Sequence, residues 1–318
     1  MDLSLSSLEP LSSPPAPRMV SKQCDRRCAR AIAVYDRNCL ERGDLGYYSP
    51  VFAVTNLPHR DPGPDTTCWT RRNGHACLVV RPGLIPKPDG SLVSAGIPYG
   101  TWPRLLILYL STEAVRTQSP RIELGSSLSD FFRRLRIVPD TRRVQMLRRQ
   151  ALRLFAASIQ FTFSNSERTT GGSAQVADQY LLWRNANDND DPRPRNVSHV
   201  ILTSRFFRDL LDHPYPVDIG AIHGLRQSPL ALDLFLWLPL RLRTLKHPLT
   251  LPYSALAEQM GSEYAREAEF ARHCRRALRL VQQFWFNLRY KEVPGSIRFS
   301  PSELPVPPRP NPAKPKIQ

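Results

Sequence analysis

"RRQALRL" at residues 148–154 and "CRRALRL" at 274–280 set the same ALRL behind a pair of arginines, 126 positions apart. Their surroundings repeat as well. The first follows "RLLILYL" (104–110), "SPRIELG" (119–125) and "SSLSDFFRRL" (126–135), and runs into "SIQFTF" (158–163). The second follows "LDLFLWL" (232–238), "HPLTLP" (247–252) and "SALAEQM" (254–260), and runs into "RYKEV" (289–293) and "SIRFS" (296–300). The order is the same, and up to and including the arginine helix the offset stays between 126 and 128. One shared tetrapeptide would mean little, but five elements in one order, four of them at one offset, mean a duplicated module. Its order is an apolar helix, a short extended link, a short helix opened by Ser, a long arginine helix and alternating β residues. That is the order of a winged-helix domain. The predicted fold is therefore α+β, with tandem winged-helix modules, short β hairpins and flexible Pro-rich termini.

The rest of the chain falls around these two modules. Residues 1–17, "MDLSLSSLEPLSSPPAP", form a Ser/Pro leader too poor in apolar residues to fold alone. Residues 18–45 read as a basic amphipathic helix ended by Gly43. The first module, with an N-terminal β segment, is expected over 46–184 and the second over 197–300. Between them, "RNANDNDDPRPRN" (184–196) has no periodicity and dense turn residues, which places a linker at 185–196. A Pro-rich tail closes the chain at 301–318.

Charge narrows the function. The 318 residues carry 44 Lys+Arg against 28 Asp+Glu, a net +16, and only six of the 44 are lysine. Such an excess favours a polyanionic partner, nucleic acid before an acidic membrane surface. An apolar content of 41% is enough for real cores. No apolar run approaches the roughly 20 residues that span a bilayer, and the N-terminus lacks the basic-then-apolar order of an export signal. Six scattered cysteines (Cys24, Cys28, Cys39, Cys68, Cys77, Cys274) do not resemble a disulfide framework. Cytoplasm, with free thiols and no membrane, is the expected setting.

Catalytic and cofactor signatures are missing. Cys24 and Cys28 with Cys68, His75 and Cys77 offer only one half of a zinc knuckle, and the first two are better read as small apolar residues one helical turn apart. No G-x-x-x-x-G-K-[ST] loop exists, and "TTGGSA" (169–174) reads as a turn. No two histidines stand close enough for the His-x-His metal pair of a rolling-circle nuclease. Asp188, Asp190 and Asp191 lack the Gly and Glu positions of an EF-hand. No cofactor, no metal and no enzyme is expected.

What remains is binding. On a helix over 262–289, Phe270, Cys274, Ala277, Leu278, Val281, Phe284 and Trp285 form one apolar stripe, with Ser262 as the expected N-cap. Arg272, Arg276, Arg279 and Gln283 fall opposite, with Arg275 beside them. This is the third helix of its module, the one that enters the major groove in helix-turn-helix proteins, and arginine suits bidentate contact with guanine and phosphate. In the first module, Val144, Leu147, Ala151, Leu154 and Phe155 turn inward, while Arg142, Arg149 and Arg153 face out with Gln145 alongside. Eight arginines and one acid, Asp140, lie between 133 and 153. A merely solvated face would mix its signs through Glu–Lys pairs. The second helix is thus expected to read bases and the first to contact phosphates or mediate self-association.

Several blocks resemble the plasmid-encoded RepA replication initiator family. They are "NLPHRDPGPDTTCWTRRNG" (56–74), "GIPYGTWPRLLILYLSTEA" (96–114), "IELGSSLSDFFRRLRI" (122–137), "SPLALDLFLWLPLRL" (228–242), "FARHCRRALRLV" (270–281) and "RFSPSELPVPP" (298–308). The likeness covers about residues 45–308, and the insert "LIPKPDGSLVSA" (84–95) departs from it. The resemblance implies a sequence-specific protein that binds double-stranded plasmid origin DNA, helps to open it and recruits host replication machinery such as a helicase or initiator, with no cofactor. A homodimer is left open. A winged-helix transcriptional regulator and a nonspecific nucleic-acid-binding protein are the alternatives.

Overall fold

The computed structural model describes residues 39, 41–87, 89–164, 169–183, 198–261 and 264–307. The leader (1–17), nearly all of the basic helix expected over 18–45, the segment 184–197 and the tail beyond 307 lie outside the described residues. So do Cys24, Cys28 and Ser262.

Two strands open the described chain and its second half in the same way. β1 (Leu45–Tyr48) leads into a short helix, α1 (Pro50–Val54). Between α1 and the first long helix stand two hairpins, β2 (Trp69–Asn73) with β3 (Ala76–Arg81), and β4 (Leu84–Pro86) with β5 (Leu92–Ser94). The first module proper follows as α2 (Thr101–Thr117), β6 (Arg121–Gly125), α3 (Leu128–Arg134) and α4 (Thr141–Ala156). After it come β7 (Ser158–Ser164), β8 (Thr169–Ala174), β9 (Ala177–Leu181), β10 (Ser198–Leu202) and α5 (Ser204–Asp212). β11 (Tyr215–Asp218) and α6 (Ile219–Leu225) lead into α7 (Pro229–Leu242), β12 (Leu249–Pro252), α8 (Tyr253–Met260), α9 (Glu267–Gln282), β13 (Tyr290–Val293) and β14 (Ser296–Phe299).

The duplication is plain in these elements. α2, β6, α3 and α4 begin at 101, 121, 128 and 141; α7, β12, α8 and α9 begin at 229, 249, 253 and 267. Both apolar helices are core. α2 buries Leu105, Leu106, Ile107, Leu108 and Leu110, and α7 buries every residue from Leu230 to Pro239. Such helices have no polar face to present to water, so each must be covered all round. Ser127, Asp140 and Ser228 start α3, α4 and α7 by accepting the N–H of the residue three ahead, which satisfies a donor that the first turn leaves open. Gly261 ends α8 with φ +64°, a left-handed conformation that glycine takes without a Cβ penalty.

Strands β1 and β11 pair antiparallel from Leu45↔Asp218 to Tyr48↔Tyr215. Each precedes its own short helix, so the two halves meet strand to strand. A charge cluster with buried acids seals the same junction, with Asp44 taking Arg136 at 2.6 Å and Asp218 taking Arg42 at 2.7 Å.

The sheets correct two expectations. In the second module β12, β14 and β13 form one three-stranded sheet. In the first, β7 does not join β6; it pairs with β3 and β8 in a four-stranded sheet ordered β2-β3-β7-β8. The partner of β6 is β10, whose other neighbour is β9. Strands β9 and β10 thus flank the 185–196 segment as antiparallel neighbours, and β10 completes the first module's sheet instead of opening the second. Polar turn residues mark a wide hairpin connection as readily as a linker, and composition cannot tell them apart. Also, α9 starts at Glu267, not at 262, with Arg266 in the cap position and Glu267 and Glu269 in its first turn, where acids complement the helix dipole. Among the described residues no helix is long and apolar enough to cross a membrane.

Candidate nucleic-acid interface

Helix α9 is held by its apolar stripe. Phe270, Cys274, Ala277, Leu278 and Val281 are buried, and burial pushes the Cys274 thiol up to about 12, so this cysteine packs as a neutral apolar residue. The opposite face is open. Arg272 and Arg276 are exposed and form no ion pair within 4.0 Å among the described residues. The Arg279 side chain is 64% exposed. Arg275 is drawn aside: its guanidinium lies 5.6 Å over the Tyr253 ring, and its Nε stands 3.9 Å from Glu292 Oε2. Glu292 also stands 4.0 Å from Arg279, so this residue of β13 lies beside α9. That strand and β14 add exposed Lys291 and Arg298, two cations outside the arginine helices. Gln283 falls past the last turn, at the C-cap and half-buried, so it does not continue the outward row.

Helix α4 spends its charge differently. Arg142 and Gln145 are exposed, and Arg142 has no partner among the described residues. Arg149 is exposed but donates to the Tyr99 hydroxyl at 2.9 Å. Arg153 does not face out, which corrects its assignment from helical spacing. It is 13% exposed, pairs with Asp61 at 3.1 Å, donates to the Ile97 carbonyl at 3.0 Å and lies 5.2 Å over the Tyr99 ring. The scarcity of acids between 133 and 153 is made good by two from elsewhere, Asp44 and Asp130, beside Asp140 itself. Asp130 takes Arg133 and Arg134, Asp44 takes Arg136, and Asp140 takes Arg143.

Between these helices lies the short run Leu57–Asp61. The Asp233 carboxylate of α7 accepts from Arg104 Nε at 2.7 Å, Arg104 Nη2 at 2.6 Å and His59 Nε2 at 2.7 Å. Burial alone would raise the Asp233 pKa, but the Arg104 charge and hydrogen bonds, then His59, outweigh it and hold the carboxyl below the usual carboxylate value. Arg104 also donates to the carbonyls of Leu57, Pro58 and Gly100. Every strong donor and acceptor here is satisfied, the condition under which a buried ion pair is tolerated. Spacing arguments pass over this cluster, although one signal was in view. Arg104 and Asp233 are opposite charges set inside the two apolar helices, where a lone charge needs a buried partner.

Known proteins add the family. Residues 97–249 match the family model described as plasmid encoded RepA protein. The match spans both buried helices and ends at the start of β12, before α9. No curated protein matches the chain. Two crystal structures share its fold. One, of selenomethionine derivatives of domain 2 and domain 3 of RctB, has a TM-score of 0.52 and 14% identity and covers 79% of this chain and 98% of its own. Another, of RctB domains 2–3, has a TM-score of 0.50 and 14% identity, with coverages of 79% and 96%.

Proposed function

We propose that this chain is a plasmid replication initiator that binds double-stranded origin DNA sequence-specifically, without cofactor and without catalysis of its own. The observation that carries the reading is the outward pair Arg272 and Arg276. They stand on the third helix of a helix–strand–helix–helix–hairpin module, exposed and in no ion pair among the described residues. We read that module as a winged helix in which α9 enters the major groove and the β13–β14 hairpin flanks it. Arginine placed so can take a guanine edge bidentately, and the exposed cations of β13 and β14 reach phosphates that position the helix. The first module, with Arg142, Gln145 and Arg149 exposed, adds backbone contacts. The match of residues 97–249 to the plasmid encoded RepA family model supports the origin as the DNA in question. Cytoplasmic action and recruitment of host replication machinery belong to the same proposal.

The direct test is autonomous replication. The coding region with its flanking DNA, placed on a vector that cannot replicate, should yield transformants that disappear when the frame is shifted. Equal recovery with the shifted frame would overturn the proposal.

A further inference from the structure

We infer that the loop Leu57–Asp61 is a strut that fixes the distance and rotation between the two arginine helices, so that the protein measures the spacing of the two DNA segments it contacts. This rests on the proposed function. The geometry is unusual in its economy, since five consecutive residues engage both halves of the chain. The Leu57 and Pro58 carbonyls take Arg104 of α2 at 2.6 and 3.3 Å. His59 takes Asp233 of α7 at 2.7 Å. The Arg60 guanidinium lies 5.1 Å over the Tyr264 ring, which stacks at 4.7 Å on His273 of α9. Asp61 takes Arg153 of α4 at 3.1 Å. Each buried helix and each arginine helix is therefore held by one short run.

The base of the strut cannot yield easily. The Arg104 and Asp233 side chains are 2% and 1% exposed, so no water competes for their hydrogen bonds. A second brace runs parallel to it. β7 leaves the end of α4 and pairs with β3, and β3 pairs with β2. From β2, Arg71 donates to the Gly261 carbonyl at 3.3 Å, at the turn between α8 and α9. That longer path reaches the turn before α9 through a long hydrogen bond, so the strut carries most of the coupling between α4 and α9. Rigid coupling of two DNA-contacting elements has a thermodynamic consequence: the second contact gains from the first only when the DNA presents both at the built-in geometry. Inserting one base pair moves the far segment by about 3.4 Å and turns it by roughly 35°.

The test uses the full-length chain and a duplex that the wild type itself selects from a randomised pool, with the protected segments mapped by footprinting. One to three base pairs are then inserted between those segments. For the wild type, insertion should weaken binding by about tenfold or more. For the Arg60→Ala/Asp61→Ala variant the unaltered duplex should bind a few-fold more weakly, while the insertion penalty shrinks severalfold. A merely structural role would lower affinity for all duplexes alike and leave the penalty unchanged, and that result overturns the inference. So does a wild type that tolerates the insertions. A wild type that selects no sequence refutes the proposed function instead. A distance measurement in the free protein, between labelled unnatural amino acids at Gln145 and Arg276, gives a readout without DNA. One narrow distance in the wild type should broaden in the variant, and equal widths in both refute the strut. If the double variant does not fold, Asp61→Asn serves in both measurements.

Discussion

Helices α4 and α9 occupy the same place in their modules, yet matched positions on them point to different environments. Arg153 is 13% exposed and its counterpart Arg279 is 64% exposed. Gln150 is buried, its amide oxygen accepting the Tyr99 N–H at 2.9 Å, whereas its counterpart Arg276 is exposed. The cause lies in the connections. Only residues 226–228 join α6 to α7, but residues 55–100 join α1 to α2 and carry β2 to β5. The end of that longer connection, "GIPYG" (96–100), lies across α4. Gly96, at φ +82°, faces the Arg153 guanidinium so closely that a Cβ would collide with it. An insertion in one copy of a duplicated module has covered one arginine helix and left the other bare. Charge on the covered helix holds the fold; charge on the bare one is available to a partner.

The largest expected effect falls on the bare helix. Replacing Arg272 and Arg276 together by Ala should reduce discrimination between the selected duplex and random duplex, at about 1–3 kcal/mol for each base that is no longer read. Competition titration measures the specificity ratio. The Arg142→Ala/Arg149→Ala variant should leave that ratio nearly unchanged. If the two double variants lost specificity equally, the contrast between the helices would be gone.

A second test addresses a histidine covered by arginines. His223 on α6 lies in a cavity of about 270 Å³ that Arg136 also lines. Burial first, then the charges of Arg226 and Arg136, push its pKa from 6.5 down to about 4. The unfolded chain therefore binds a proton that the folded one refuses between about pH 6.5 and pH 4. Its contribution to stability is complete above pH 6.5 and is lost as pH falls towards 4, by up to roughly 3 kcal/mol. Urea melts across this window should show a slope that His223→Gln reduces. An identical pH profile in the variant would mean that burial and the charges of Arg226 and Arg136 do not depress this histidine.

Much of this was legible in the sequence. The paired ALRL blocks placed both arginine helices, and the 3.6-residue spacing identified the buried stripe of α9 down to Cys274 and Val281. Periodicity describes one helix in isolation, however, and says which side chains share a face but not what covers that face. Arg153 lies on the same side of α4 as Arg142 and Arg149, and only the docking of Ile97, Tyr99 and Asp61 turns it into a buried residue. Strand partners were hidden for a similar reason. β7 alternates as an outer strand of its own module would, yet β3, 76 to 81, arrives from the insertion and claims it. The β9–β10 pairing was masked by a polar segment that reads equally as linker or as hairpin connection.

The smallest effect separates the residues of α4 from one another. If Arg142 and Arg149 each neutralise one phosphate, their removal should flatten the slope of log affinity against log salt by about 0.9 for each phosphate released. Specific and random duplexes should weaken together, because phosphates carry no sequence information. Arg153→Ala should leave the slope where it is. Its charge is satisfied by Asp61 and the Ile97 carbonyl, so its loss should appear in stability, at about 1–3 kcal/mol for a charged hydrogen-bond group removed from a mostly buried position. Arg149 is the sharper case, since its hydrogen bond to the Tyr99 hydroxyl competes with any phosphate. A Tyr99→Phe change frees that guanidinium while keeping the ring under Arg153. With Tyr99→Phe, the slope should steepen slightly or stay as in the wild type. If α4 is a protein surface instead, the salt slope of Arg142→Ala/Arg149→Ala will match the wild type while sedimentation shows self-association abolished. A salt titration paired with sedimentation decides between the two, and an unchanged slope removes DNA from this face of the molecule.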